Sequence, residues 1–264
     1  MILNSAIVWD VDETLGSFGS LDNISRHLED YIQRELTEHE INILLDTFPE
    51  ILRPNIIKTL RLLHNLKRKK VFQKMIIFTN NVGPNMWIDR ILNYISNKIK
   101  RKGNQPLFDQ VIRAYKINNN MVEPNRTQHN KTRADLLKCM NVDDINHICF
   151  IDDQSHPLLT ESNVDGLHIP PYYYEIDKQT LINRLLKSEI HNIMGDLFEF
   201  NDFTNKYYDS NLGINSNVVV YNKMDDDVLL NHVKQFTNKC KPCTKSIKTK
   251  QIRKKNKRTK TIKI

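Results

Sequence analysis

The chain has 264 residues, with 39 Lys and Arg against 31 Asp and Glu, a formal charge of +8. A hydrophobic fraction of 39% and a charged fraction of 27% exclude wholesale disorder, and the length is ample to bury a core. Four cysteines exclude a disulfide framework, and no apolar run reaches the roughly 18 residues of a membrane span.

The N-terminal stretch meets Asp10 too early for a secretory signal, so the expected setting is intracellular, cytoplasmic or nuclear, not secreted, with no membrane partner. The positive charge is concentrated at one end. Residues 238–264 hold 12 Lys or Arg and no acidic residue, which leaves 27 basic against 31 acidic side chains elsewhere, a net of −4. With only 7 glycines, Gly-rich phosphate loops are absent.

In chain order, Ala6-Ile7-Val8-Trp9 reads as a buried strand running into Asp10-Val11-Asp12-Glu13-Thr14. Apolar residues at helical spacing from Ile24 to Leu45 predict two helices broken near Thr37, and another helix follows Pro54, from Ile56 to Leu66. Met75-Ile76-Ile77-Phe78 is a second strand, ending in Thr79-Asn80-Asn81. Helices are predicted from Trp87 to Ile99 and from Thr132 to Met140, the latter just after Lys131. His147 to Ile151 is a third strand, ending in Asp152-Asp153, and Gly166 to Ile169 a fourth. A helix from about Lys178 to Met194 completes the predicted core. Continuous apolar strands alternating with helices predict an α/β fold, a doubly wound Rossmann-like parallel sheet flanked by helices. Such sheets bind ligands beyond the carboxyl ends of their strands, where Asp10, Thr79 and Asp152 fall.

Beyond the core, residues 195–237 form an acidic, aromatic extension with one apolar stretch, Val218 to Tyr221. Residues 238–264 read as a disordered basic tail, since like charges repel and bury nothing. The run Arg253 to Arg258 fits a nuclear-localisation segment or a sequence-blind nucleic-acid contact through residues 239–263, and equally a solubilising tail. Cys240-Lys241-Pro242-Cys243 has no second cysteine pair to complete a zinc site, so its thiols read as free. His156, Asp165 and Tyr172-Tyr173-Tyr174, near the expected site, could contact substrate but fit core or surface packing better.

Four polar clusters remain. The carboxylates of Asp10 and Asp12 after a strand can converge on one site as nucleophile and acid/base, although Asp-x-Asp is as common in surface turns. Thr79 and Asn80 offer a hydroxyl and an amide to a phosphoryl oxygen, or serve as ordinary caps. Lys131 at a helix start opposes the helix dipole and calls for an anion, unless it is simply solvated. Asp152 and Asp153 side by side are costly without a cation or a hydrogen-bonded turn.

Together these clusters, over about Ser5 to Asp153, resemble the haloacid dehalogenase (HAD) superfamily of phosphatases. Asp12-Glu13-Thr14-Leu15, Leu52-Arg53-Pro54 before a Leu-rich helix, and Ile151-Asp152-Asp153 are similar to the FCP/SCP-type phosphatases of the RNA polymerase C-terminal domain. Asn55 stands where that group has Gly, Gln154 where it has Ser, and its small β insertion finds no match. The resemblance implies a HAD-like catalytic domain over residues 1–194 with little or no cap, and a Mg²⁺-dependent phosphatase acting through an aspartyl-phosphate. It implies Asp10 as nucleophile and Asp12 as acid and base. Thr79 and Lys131, with Asn80 in support, would hold phosphate. The metal would lie among Asp10, Asp12 through its main-chain carbonyl, Asp152 and Asp153, while Glu13 and Thr14 shape the turn. The expected substrate is a phosphorylated macromolecule, a Ser/Thr phosphoprotein. The alternatives are phosphate removal from nucleic-acid ends or nucleotides, and a non-catalytic HAD-fold binding protein.

Overall fold

The computed structural model describes residues 4–83, 86–99, 105–140, 145, 147–159, 163–196, 199–205 and 223–240, apart from the side chains of 223–226. The strand predicted from Ala6 is β1 (Ser5–Trp9), and every one of its side chains is buried. It lies mid-sheet, with β2 (Lys74–Phe78) on one side and β6 (His147–Asp152) on the other. The edges are β3 (Gln110–Ile112) beside β2 and β7 (Val164–His168) beside β6, and all four pairings are parallel. The protein is therefore α/β, a five-stranded parallel sheet flanked by helices. The edge strand β3 escaped sequence reading because only three residues form it, too few for a pattern. A small antiparallel hairpin, β4 (Lys116–Ile117) against β5 (Asn120–Met121), was equally invisible.

Alternate strand residues build two cores of unequal size. Ile7, Trp9, Met75, Ile77, Cys149 and Ile151 face α1 (Phe18–Ile32), α2 (Glu38–Thr47), α3 (Ile56–Arg68), α4 (Trp87–Lys98) and α6 (Lys178–Lys187). Ala6, Val8, Ile76, Phe78, Ile148 and Phe150 face α5 (Arg133–Met140). The expected break between the first two helices falls at Thr37, which caps α2 by accepting the Glu40 N–H while Glu40 bonds back to the Thr37 N–H. The single helix expected from Lys178 to Met194 is two, because Ser188 leaves helical geometry at the end of α6 and a short helix restarts at His191–Met194.

The chain runs outward from β1 to β2 and β3, then returns to β6 on the other side of β1. The switch point thus lies between the carboxyl ends of β1 and β6, where open α/β sheets take ligands.

The extension is packed where the structure describes it. Phe200 and Thr204 are buried, Thr204 Oγ1 lies 3.0 Å from His27 Nε2, and the Phe203 ring stacks on His27 at 5.2 Å. A further helix, Lys223–Cys240, lays Leu229, Val233, Phe236 and Cys240 into the larger core at helical spacing. Its Phe236 stacks on His147 at 4.9 Å, and Asp165 accepts from Lys239 at 3.2 Å. Residues 238–240, expected in the tail, are therefore helical, and Cys240 is buried, because the apolar stripe continues past the first tail lysine. Val218 to Tyr221, Cys243 and residues 241–264 lie outside the described residues. No helix among the described residues is long and apolar enough to cross a membrane.

Burial depresses the His27 pKa from 6.5 to about 4. Between those values only the unfolded chain binds this proton, so the His27 contribution is complete above pH 6.5 and lost as pH falls to 4. The loss amounts to about 3 kcal/mol. Urea denaturation from pH 7 to pH 4 should show the fall, and His27→Gln should flatten it; an unchanged slope in the variant would refute the assignment.

Candidate active site

The turn after β1 is built to hold carboxylates still. The Asp10 N–H extends the ladder to the Ile151 carbonyl at 2.9 Å, and Val11 and Leu15 are fully buried anchors on either side of Asp12. Glu13 takes the left-handed conformation, φ 53°, which reverses the chain. Buried Arg53 clamps this reversal, donating from Nε to the Thr14 carbonyl and from Nη2 to the carbonyls of Glu13 and Pro170, all within 2.8 Å. Its guanidinium packs over Tyr172, whose N–H donates to the Glu13 carbonyl. Asn55, standing where the resembled group has Gly, takes φ 59°, a conformation Asn tolerates. Gly16 passes so close to the Pro49–Leu52 segment that a Cβ would sit 2.6 Å from the Ile51 carbonyl oxygen.

Three charged groups meet at the switch point. Lys131 Nζ donates to Asp10 Oδ1 at 2.5 Å and to Asp152 Oδ2 at 2.7 Å. The three side chains are buried, and the rings of Phe78 and Phe150 wall the ammonium at 5.8 and 5.7 Å. Asp152 also receives the Gln154 N–H at 2.7 Å and has His156 Nε2 3.1 Å away. Burial pushes the Asp10 pKa up to about 8, Lys131 pulls against it, and the Asp152 charge adds to the rise. For Asp152 burial also raises the pKa, but His156, Lys131 and the Gln154 N–H outweigh it, and the net shift is downward. Two neighbouring carboxylates are thus held in different states, with Asp152 the ionised one.

Asp12 points to the same groove. Its two oxygens accept from Asn81 Nδ2 at 3.1 and 2.8 Å. Burial raises its pKa, against the pull of Asn81 and Lys131. Asp153 accepts from the Thr14 hydroxyl at 3.2 Å, and its pKa is raised by burial and by Asp152. Oxygens of Asp10, Asp152 and Asp153 lie within 4.8 Å of one another. An all-carboxylate oxygen set with one opposing ammonium fits a hard divalent cation.

These residues open on a groove of about 460 Å³, faced by Phe18, Asp22 and Arg26 of α1 and by Asn80 to Gly83. Of the residues expected at the site, Asp10, Asp12, Asn80, Lys131 and Asp152 line it. Thr79 stands behind that surface, its buried hydroxyl accepting the Asn81 N–H at 3.0 Å. Asn80 Oδ1 accepts from Arg126 Nη2 at 2.8 Å, which leaves its amide N–H groups for the groove. The main-chain carbonyl of Asp12 accepts the Thr14 N–H at 2.6 Å.

Sequence reasoning missed three supporting residues. Asn81 was visible only as a polar strand end, although it orients Asp12. Arg126, in an irregular segment with no pattern, is fully buried and donates to the carbonyls of Thr79, Arg113 and His129. His156, expected to serve packing or to contact substrate, instead lies four residues after Asp152 and against its carboxylate. No family model, no curated protein and no solved structure matches this chain.

Lys131→Met should cost about 3 kcal/mol in the presence of a chelator, because the buried carboxylates lose their counter-charge. Millimolar Mg²⁺ or Mn²⁺ should restore part of that loss in thermal melts. A melt indifferent to both changes would show that the carboxylates do not form a cation site.

Proposed function

We propose that this chain is a HAD-type phosphatase, a Mg²⁺-dependent hydrolase of phosphomonoesters working through an aspartyl-phosphate on Asp10. The observation that carries the reading is the convergence of Asp10, Asp12, Asp152 and Lys131 on one groove at the switch point. The strand order, with Asp10 ending the central strand, is compatible with a HAD-like sheet.

In this reading Asp10, the Asp12 main-chain carbonyl and Asp152, with Asp153 beside them, would hold Mg²⁺, which would supply positive charge to ionise Asp10 and neutralise phosphoryl oxygens. The Asp10 carboxylate attacks phosphorus and the ester P–O bond breaks. The departing oxygen takes the proton of Asp12, whose raised pKa favours the acid form at the start of the cycle. Asp12, now a carboxylate, removes a proton from water, which attacks phosphorus. The P–O bond to Asp10 then breaks, releasing phosphate and restoring both side chains. Asn81 fixes the Asp12 carboxylate through both exchanges. Lys131 and Asn80 hold phosphoryl oxygens, and Thr79 supports that wall from behind. Positioning and charge neutralisation are what phosphoryl transfer requires of a protein.

The substrate we propose is a phosphorylated macromolecule, a Ser/Thr phosphoprotein. What supports it is the open groove: α1 and α2, the segment available to form a cover, pack into the larger core. Enzymes of small metabolites usually close over them.

p-Nitrophenyl phosphate should be hydrolysed with Mg²⁺ and not with chelator, and Asp10→Asn should lower turnover on the order of 10³-fold or more. Metal-independent turnover, or an active Asp10→Asn protein, would overturn the reading. Phosphoserine peptides should be better substrates than 3′-phosphorylated DNA; the reverse preference would move the reading to nucleic-acid ends.

A further inference from the structure

We propose that the amino-terminal end of the sheet, opposite the groove, is a docking face for the phosphate backbone of nucleic acid. β1 runs from Ser5 at this end to Asp10 at the groove, a separation of about 17 Å. The turn from α3 to β2 lies at the Ser5 end. The Gln73 N–H donates to the Ser5 carbonyl at 2.9 Å, and the Gln73 amide to Asn4 Oδ1 at 2.7 Å.

This turn presents Arg68, Lys69 and Lys70, all exposed, with half-buried Lys74 after them. Among the described residues none of the four pairs with a carboxylate, whereas neighbouring Lys67 pairs with Asp109 at 2.9 Å. Beside them is a cleft of about 500 Å³ lined by Asn4, Lys70, Gln73 and Gln105. Asp109, the carboxylate of that cleft, is neutralised by Lys67 and also accepts the Met75 N–H. Positive charge and amide donors therefore meet here without a counter-charge, in a body whose net charge is negative.

A second observation points to the same end. Cys240 is buried, and one turn earlier Phe236 stacks on His147, the residue paired with Ser5 across the sheet, so the last described residue lies near the start of β1. The chain leaving that point carries 11 Lys or Arg and no acidic residue through Ile264. Folded cations and tail cations thus originate at one end of the sheet.

A regular row of phosphates matches such a distribution, because each cation it meets releases a counterion. An anionic bilayer would also ask for apolar side chains to insert, and among the described residues the exposed large apolar ones, Val82, Met86, Met121, Leu158, Tyr173 and Val228, lie outside this turn. Among the described residues no exposed aromatic accompanies the cations, so the binding we propose is sequence-blind.

The test is binding of labelled duplex DNA to the full chain, measured by anisotropy over a range of salt. Arg68→Ala/Lys69→Ala/Lys74→Ala should weaken binding more than about 10-fold at low salt. It should also lower the slope of log K against log salt by about 2 to 3. Truncation after Cys240 should weaken binding further, and neither change should alter p-nitrophenyl phosphate turnover, a readout independent of DNA affinity. Wild-type affinity in the triple variant would overturn the proposal, even if truncation abolished binding. So would tighter capture on phosphatidylserine vesicles than on DNA at equal salt.

Discussion

The structure turns on the ammonium of Lys131 held between Asp10 and Asp152. Burying a cation with two carboxylates is unfavourable unless geometry and hydrogen bonds repay the lost hydration. Here the repayment is structural. Adjacent parallel strands place the two carboxylates side by side, the Gln154 N–H and His156 stabilise one of them, and two phenylalanine rings exclude water from the ammonium. Two like charges and one opposite charge leave the centre short of positive charge. The raised pKa of Asp10 expresses that deficit as an affinity for a proton, and a divalent cation would relieve it more completely.

Much of the remaining core exists to hold that centre in register. The turn from Asp10 to Ser17 has few hydrogen bonds of its own, and its carbonyls are collected by Arg53 from a different part of the chain. The same guanidinium reaches Pro170, beyond β7, so the loops after β1 and β7 are tied to the start of α3. Arg126 does the equivalent for the loop after β2, gathering Thr79 and Asn80. Two buried arginines, each donating to several carbonyls, thus set the walls of the groove. Loss of either would leave buried carbonyls without donors at a cost of roughly 1 to 3 kcal/mol each.

What was legible in the sequence was what local pattern encodes. Fully apolar runs such as Ile7 to Trp9 announce strands buried on both faces, and their polar ends announce the site, so β1, β2, β6 and the carboxylates were readable. Thr37 and Glu40 mark a helix start by chemistry alone. The rest is relational. Arg126 and Asn81 matter because of what tertiary structure sets against them, and neither has a neighbourhood that says so. β3 is too short to display a period. The helix ending at Cys240 hides its stripe, Leu229, Val233, Phe236 and Cys240, among Asn and Lys, and a basic composition outweighed the spacing.

That helix alters the meaning of the charge. A net of +8 spread over a globule would predict a cationic surface, yet 12 of the 39 Lys and Arg lie in residues 238–264 and the rest of the chain carries a net of −4. Carboxylates collect where the strands end, because backbone N–H groups and a buried lysine can hold them there. Arg68, Lys69 and Lys70 lie where the strands begin, and the helix ending at Cys240 packs at that same end through Phe236 on His147. A bound polyanion at the basic end would lie about 17 Å from the groove. At that distance, beyond the Debye length of roughly 8 Å at physiological salt, it would neither screen the carboxylates nor compete for Lys131. In the proposed reading, recruitment and chemistry would therefore be tuned by separate substitutions, which a single patch of mixed charge would not permit.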